Sequence, residues 1–193
     1  MPDPTKPDPT KPDPTKPDPP SSNSTSSSAI RLRVAAAIDL DYILDLEAAG
    51  RREGFIRGDD RVAHVARMGE AHVVYYVIEQ GAARVGFVIL GGVGGDDKAI
   101  EIGRLMIAPE ARGVGQAALA EILRCVFEDH DAHRVWLDTI ADNARARHVY
   151  AKLGFVEEGR LRQALRFGGR YHDLILFGLL REEWDNLRAS ATD

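Results

Sequence analysis

The sequence has few of the features that would tie it to a membrane or to an oxidising compartment. Cys125 is its one cysteine, so a disulfide within the chain is excluded. No apolar run approaches the roughly 18–20 residues that a membrane-spanning helix needs, and the amino-terminal segment lacks the hydrophobic stretch of a secretory signal. We therefore expect a cytoplasmic protein without a membrane partner.

The sequence also lacks a basic cluster. Its formal net charge is −5, and its 20 arginines and five lysines form no long run of positive charge. Domains that bind nucleic acid usually carry such a patch, so we expect no nucleic-acid partner.

Proline is scarce after residue 28, where Pro109 is the only one. The other nine prolines lie at positions 2–20, in a repeated Pro-Asp-Pro-Thr-Lys unit, and six of the seven serines lie at 21–28. Such frequent prolines fix φ and remove backbone donors, which favours polyproline II over helix or sheet. We expect residues 1–28 to be a low-complexity spacer before one domain, residues 29–193. A docking sequence is the alternative, although the repeat offers no apolar or aromatic anchor.

Hydrophobic patterns in the domain predict strands alternating with helices. Alternating or β-branched runs predict strands at Ile30–Val34, Val73–Glu79, Val85–Leu90, Ala99–Ile107, Val135–Asp138 and Leu174–Leu180. Helical spacing covers Ile38–Leu46, Val62–Met68, Val114–Phe127 and Ala144–Leu153. An early hairpin followed by strand–helix pairs indicates an α/β fold, with helices flanking a mixed, mostly antiparallel central sheet in three layers.

The fourth predicted strand changes its phase. Its apolar side chains are Ile100 and Ile102 on even positions, and then Leu105 and Ile107 on odd positions. Because side chains alternate with period two, one extra residue near Gly103 would restore the phase, which is what a β-bulge supplies. A strand buried on both faces is the other interpretation of this pattern.

A glycine-containing segment, Arg112-Gly-Val-Gly-Gln-Ala117, follows that strand and precedes a helix. Gly113 and Gly115 allow a tight turn, and the free N–H groups and positive dipole end of the helix would favour a pyrophosphate, with Arg112 adding charge. A mononucleotide P-loop is excluded because Gln116 stands where that motif requires lysine.

A dinucleotide-binding domain remains an alternative at this point. Gly113-x-Gly115-x-x-Ala118 fits that fingerprint, and Asp138 ends the next strand. Against it, five residues separate the strand from Gly113, hairpins precede the motif, and about 55 residues after Asp138 are too few for a second half-sheet.

Two segments together resemble one family. Arg112–Ala117 resembles the Gln/Arg-x-x-Gly-x-Gly/Ala signature of the GNAT superfamily of acyl-CoA-dependent N-acetyltransferases. Asp142–Phe155 resembles that family's second motif, an asparagine followed seven residues later by tyrosine and then by Leu-Gly-Phe. The resemblance covers essentially the whole domain, and around Glu158–Arg162 it is similar to the branch that acetylates ribosomal-protein N-termini and related small amines.

The resemblance implies an enzyme that uses acetyl-CoA as co-substrate. It would acetylate a small-molecule primary amine or a protein N-terminus by direct attack in a ternary complex. The cofactor-binding residues that it implies are Leu105, Met106, Ile107, Arg112, Gly113, Val114, Gly115, Gln116, Ala117 and Asn143. Asn143 would bind the pantetheine arm, and Tyr150, two helical turns later on the same face, would protonate the departing thiolate. A backbone amide of the bulged strand would polarise the thioester carbonyl.

An amine nucleophile must lose a proton, so a base is required. Asp138 is the first candidate and Glu101 is the second. A structural Asp138, capping a helix or pairing with arginine, and a Tyr150 serving only as a core aromatic are the competing interpretations.

The acceptor site is expected in the loop around residues 50–58 and near the start of the last strand, which makes Arg52, Phe55 and Tyr171 candidates for binding the acceptor. The histidine spacing matches no metal set, so we expect no metal. Two further hypotheses stay open: a non-catalytic CoA-binding or interaction module, and the dinucleotide-binding domain. The sequence leaves the oligomeric state open, and a homodimer is allowed.

Overall fold

A computed structural model describes residues 29–53, 56 and 58–190. Its seven strands are β1 (Ile30–Val34), β2 (Val73–Gln80), β3 (Ala83–Gly91), β4 (Ala99–Ile107), β5 (Arg134–Ile140), β6 (Val156–Phe167) and β7 (Arg170–Leu180). They form one sheet in the order β1-β2-β3-β4-β5-β7-β6. All neighbours are antiparallel except β4 and β5, which are parallel.

Within these described residues, five α-helices flank the sheet: α1 (Leu40–Glu53), α2 (Arg61–Met68), α3 (Gly115–Arg124), α4 (Ala144–Lys152) and α5 (Arg181–Ser190). A 3₁₀ turn, Ala37–Asp39, leads into α1, and α3 continues as a π-helical stretch, Cys125–Asp129. None of the helices in the described part of the chain is long and apolar enough to cross a membrane.

Apolar side chains from the two faces of the sheet form two cores. The larger core lies on the face covered by α3 and α5, where Ile100, Leu137 and Phe177 meet Leu119 and Trp184. The smaller core lies on the opposite face, where sheet residues pack against α1 and Met68 of α2. The layers are therefore helix, sheet and helix, and the predicted fold class is confirmed.

The bulge predicted in β4 is present. Ile102 pairs with Leu90 and Arg104 pairs with Ile89, so Gly103 is an extra residue on the β4 side. Consequently Ile102 and Leu105 pack into the same core although their numbers differ in parity.

Two elements were not predicted, and several strands are longer than expected, the last one most of all. The missed strand, β6, is an edge strand whose many charged side chains are mostly exposed, so it shows no alternation of apolar residues. The missed helix, α5, buries only Trp184. The last strand begins at Arg170 rather than at Leu174, because β6 and β7 form one long hairpin.

The sheet also contradicts the dinucleotide-binding hypothesis. That fold requires a mostly parallel, doubly wound sheet, whereas this sheet has a single parallel pair, β4 with β5. Gly113 and Gly115 therefore serve a different architecture.

Candidate active site

The parallel strands β4 and β5 separate in the middle of the sheet. They pair only from Ala99 to Glu101 on β4 and from Arg134 to Trp136 on β5. Beyond Glu101, β4 stays paired with β3, whereas β5 stays paired with β7 as far as Ile140. Among the residues that the structure describes, the edge of β4 that faces β5 therefore has no strand partner after Glu101. Its backbone N–H and C=O groups there can bind a ligand.

A cleft of ≈ 560 Å³ opens where the strands separate. Its walls come from the end of β4, the following loop, α3 and α4; the lining residues are Leu105, Ile107, Ala108, Pro109, Ala111, Arg112, Gly115, Leu119, Asn143, Arg145, Ala146, Val149 and Tyr150. The structure thus brings together the two segments, Arg112–Ala117 and Asp142–Phe155, that the sequence singled out.

Not every predicted cofactor residue lines this cleft. Leu105, Ile107, Arg112, Gly115 and Asn143 do so. The side chain of Met106 packs in the smaller core on the other face, and Val114 packs against the larger core. Gly113 is exposed just before α3, and Gln116 is exposed in its first turn. Ala117 lines a separate surface groove. Backbone contacts from these five residues to a ligand stay predictions.

One end of the cleft is suited to an anion. Gly113 adopts a φ of +90°, which favours glycine, and turns the chain into α3. Val114, the N-cap, provides no side-chain cap, so the first N–H groups of α3 keep their positive field. Arg112 and Arg145 line the same cleft, and neither forms an ion pair with a described residue. Arg145 was missed from the sequence, although a basic residue in the first turn after Asn143 could have suggested it.

Asn143 has a structural role besides the predicted one. It is the N-cap of α4, and its Oδ1 accepts a hydrogen bond from the Ala146 N–H at 3.1 Å. The cap uses only the amide oxygen, so the Nδ2 hydrogens remain suited to a ligand in the cleft that Asn143 lines.

Tyr150 combines packing with access to the cleft. Its ring contacts Phe155 and Phe177, with centroid distances of 5.9 and 5.4 Å, and it also lines the cleft. Burial and the negative charge of Asp138 raise the pKa of Tyr150 to about 12. The phenol therefore carries its proton at neutral pH, as a general acid must.

Glu101 and Asp138 lie on the sheet face opposite the larger core. Glu101 pairs with Trp136, and Asp138 follows two residues later on β5, so the three side chains share one face. Burial raises the pKa of both carboxyl groups, and the charge of Asp138 raises that of Glu101 further, while Arg67 lowers it. Asp138 keeps solvent access despite this partial burial.

The contacts of the two acids bear on whether they are free to act in catalysis. Among the residues that the structure describes, Glu101 and Asp138 form no ion pair or side-chain hydrogen bond. The interpretation of Asp138 as a capping or arginine-pairing residue therefore finds no support in these contacts. The charge of Asp138 acts on both Glu101 and Tyr150.

Of the three residues predicted to bind the acceptor, two are exposed on the surface. Arg52 is exposed near the end of α1. Tyr171 is exposed at the start of β7, where the Arg166 guanidinium lies 5.9 Å from its ring centroid. Phe55 lies outside the described residues. No group of three or more potential metal ligands occurs in the described part of the chain.

Comparisons with known proteins agree with the fold. Residues 40–155 match the acetyltransferase (GNAT) family. The chain is similar to the "Putative ribosomal N-acetyltransferase YdaF" of Bacillus subtilis, with 34% identity over 39% of this chain and 42% of that protein. It is also similar to spermidine N(1)-acetyltransferases, with 33% identity over 43% of this chain and 49% of the Vibrio cholerae protein. For the Escherichia coli protein the identity is 25%, over 82% and 90% of the two chains.

The first two matches span less than half of those relatives' length. Among solved structures, spermidine N-acetyltransferase from Vibrio cholerae in complex with CoA and spermine has a TM-score of 0.73 at 23% identity, covering 82% of this chain and 99% of that one. This likeness shows a shared fold. Because the family match covers more than half of the sequence and includes both cleft motifs, the chain belongs to the acetyltransferase (GNAT) family.

Proposed function

We propose that this protein transfers an acetyl group from acetyl-CoA to a primary amine. The observation that carries the proposal is the position of Tyr150: a protonated phenol lines the cleft and lies within electrostatic reach of Asp138 on the other face of the sheet. Acyl transfer from a thioester to an amine can use an acid that protonates the departing thiolate and a base that accepts a proton from the ammonium group.

The shape and charge of the cleft suit acetyl-CoA. Its pyrophosphate would lie at the start of α3, near Arg112 and Arg145, whose charges are not used by ion pairs with described residues. Its pantetheine arm would follow β4 past Leu105, where the strand edge has no partner and can form backbone hydrogen bonds. The thioester would then lie between Tyr150 and the two acids.

The amine would approach from the face that carries Glu101, Trp136 and Asp138. Two carboxylates next to an indole favour a cationic ammonium group. Of the two acids, Asp138 is the better candidate for the base, because it has solvent access and its charge raises the pKa of Tyr150. Glu101 would support it through charge.

The reaction follows from these positions. The ammonium gives a proton to Asp138, directly or through a water, because an aspartate is short. The free amine attacks the thioester carbonyl, forming a C–N bond, and the C–S bond then breaks. The departing thiolate takes the phenolic proton of Tyr150, and the acylated nitrogen loses its remaining surplus proton to solvent as the amide forms. Tyr150 regains a proton from solvent, and Asp138 releases the one that it took. No acetylated enzyme forms, so both substrates must be bound at once.

The acceptor that we propose is a small-molecule primary amine or a protein N-terminus. Relatives named as acting on spermidine support the first kind, and the relative named for ribosomal acetylation supports the second. Both kinds present a primary ammonium group, which is the feature that the two carboxylates would recognise.

The test is a thiol-release assay with acetyl-CoA and a panel containing spermidine, short alkylamines and peptides with free N-termini. We expect stoichiometric thiol release and an acetylated amine, identified by mass spectrometry, with at least one panel member. Tight CoA binding in calorimetry with no turnover on any amine would instead favour a non-catalytic CoA-binding module.

A further inference from the structure

A buried polar cluster lies beside the acceptor face and outside the proposed chemistry. At its centre is Glu47 of α1, whose side chain is completely buried. One carboxylate oxygen, Oε1, accepts a hydrogen bond from Nη1 of Arg104, and the other, Oε2, accepts one from the Asp59 N–H at 2.7 Å. His64 of α2 approaches the same oxygen at 3.3 Å and contacts the Tyr75 hydroxyl at 3.0 Å.

The cluster joins three separate parts of the chain. Glu47 belongs to α1, Asp59 precedes α2, and Arg104 directly follows the bulge residue of β4. Arg104 also donates to Asp59 at 3.1 Å. Buried charges bound from several sides resist displacement, since moving one leaves another unpaired.

Gly58 shows how closely the chain passes over this cluster. Its φ is +69°, and a Cβ there would collide with the side chains of Arg51 and Glu47. The end of the segment between α1 and α2 is therefore held against Glu47 by both a hydrogen bond and close packing.

The bulge connects the cluster to the proposed catalytic face. Without the extra residue Gly103, Glu101 and Arg104 would point to opposite faces; with it, they share one face. Arg67 links the two sites. Its Nη1 lies 3.6 Å from Oδ2 of Asp59. Burial raises the pKa of Glu101, and the positive charge of Arg67 opposes that rise.

We infer that Glu47 and Arg104 are positioning residues for the acceptor side: they hold the entry to α2 and the β4 bulge in one fixed arrangement beside Glu101. The inference rests on the proposed acetyl transfer. Neither residue lines the cleft on the other face. Disturbing the pair should therefore impair use of the amine much more than binding of acetyl-CoA.

Glu47→Gln is the informative variant. Glutamine has nearly the same shape, but an NH2 group replaces one of the two oxygens. Because Arg104 and the Asp59 N–H donate to different oxygens of Glu47, one of these donors would face the NH2 group instead of an acceptor. Because a displacement of about 1 Å can cost about 10²-fold in rate, we expect kcat/KM for the amine to fall by about 10- to 100-fold. The KM for acetyl-CoA should stay within about twofold.

Asp39→Asn is a matched control. Asp39 is also a buried carboxylate that accepts from an arginine, Arg33, at 2.9 Å and from a backbone N–H, that of Ala36, at 2.9 Å. Its arginine partners, however, are Arg33 on β1 and Arg84 on β3, and neither lies on β4. The control should lower the melting temperature as Glu47→Gln does, and leave kcat/KM for the amine within about twofold.

The experiment compares steady-state kinetics of wild type and both variants, varying each substrate in turn. A selective loss for the amine in Glu47→Gln supports the inference. An equal loss of kcat/KM for the amine in the two variants would overturn the inference, and so would an unchanged value in Glu47→Gln. In either case, turnover by the wild-type enzyme would still support the proposed function. No wild-type turnover would defeat both.

Arg104→Lys keeps the inference testable if Glu47→Gln does not fold. Lysine retains the positive charge but not the planar guanidinium geometry. We expect the same selective loss for the amine, smaller than in Glu47→Gln, and unchanged amine kinetics in this variant would equally contradict a positioning role.

Discussion

The carboxylate of Asp138 and the phenol of Tyr150 lie close enough, at the separation of β4 and β5, for the charge of Asp138 to help raise the pKa of Tyr150 to about 12. The two residues come from different elements, β5 and α4, and Asp138 also raises the pKa of Glu101. Burial is the larger cause of both shifts, and it alone raises the pKa of Asp138. Tyr150 therefore keeps its proton at neutral pH, and both acids hold theirs to a higher pH than usual.

Replacing Tyr150 with phenylalanine should abolish most of the activity. Removal of a general acid typically costs about 10²–10⁴-fold in rate, so we expect kcat to fall by that factor. CoA affinity in calorimetry should change little, because the ring still packs against Phe155 and Phe177.

Tyr76→Phe provides the control for that experiment. The Tyr76 hydroxyl bonds Nε2 of His130 at 2.8 Å, and Tyr76 does not line the cleft. We expect Tyr76→Phe to be slightly less stable than the wild-type protein and to have the same kcat. A Tyr150→Phe enzyme with kcat within about twofold of wild type across pH would rule out the acid role.

The two acids should differ in their effects on rate and on its pH dependence. Because burial raises the pKa of Asp138, activity should fall as the pH drops through a value above 3.8, the ordinary pKa of this side chain, since a base works only when ionised. Asp138→Asn should lower kcat/KM about 10²-fold or more. Glu101→Gln should lower kcat/KM less and should keep the fall in activity at low pH. Full pH–rate profiles of the three proteins distinguish these cases, and the reverse order of losses would assign the base to Glu101.

The two cleft arginines should govern affinity for acetyl-CoA. Hydrogen bonds to charged groups contribute about 1.5–3 kcal/mol each, so Arg112→Ala and Arg145→Ala should each raise the CoA dissociation constant about tenfold or more. Lys152→Ala, a change at the other end of α4 from Arg145, should leave it unchanged. Calorimetry at two salt concentrations checks this, and a loss in Lys152→Ala as large as in the arginine variants would point to general charge rather than to a site.

Removing residues 1–28 should leave acetyl transfer intact. That segment lies outside the described residues, and its composition predicts a spacer. A protein beginning at Ala29 should keep its melting temperature and its kcat within about twofold. Loss of activity by a truncated protein that remains folded would contradict the division of the chain at this position.

The sequence predicted the parts of the fold that depend on local pattern. The hairpin of β2 and β3 and the bulge at Gly103 follow from alternation, which the chain itself displays. The exposed edge strand β6 and the helix α5 escaped prediction because few of their side chains are buried, so neither carries an apolar pattern.

The arrangement of the site depends on topology that local patterns do not contain. That Glu101 and Asp138 share a face follows only once β4 is known to pair with β5 at Trp136. Likewise, Glu47 sits among other acids on α1 and is indistinguishable from its exposed neighbours in sequence, yet it is completely buried against Arg104. Its partners are 12 and 57 residues away along the chain, too far for a local sequence pattern to connect them.

The most direct test of the account is a two-substrate kinetic study of the wild-type enzyme with acetyl-CoA and the best amine from the panel. Direct attack with both substrates bound predicts intersecting double-reciprocal lines, no acetylated enzyme in mass spectra taken without amine, and one acetylated amine for each thiol released. Parallel lines together with a stable acetyl-enzyme, or no acetylated amine with any acceptor, would contradict it.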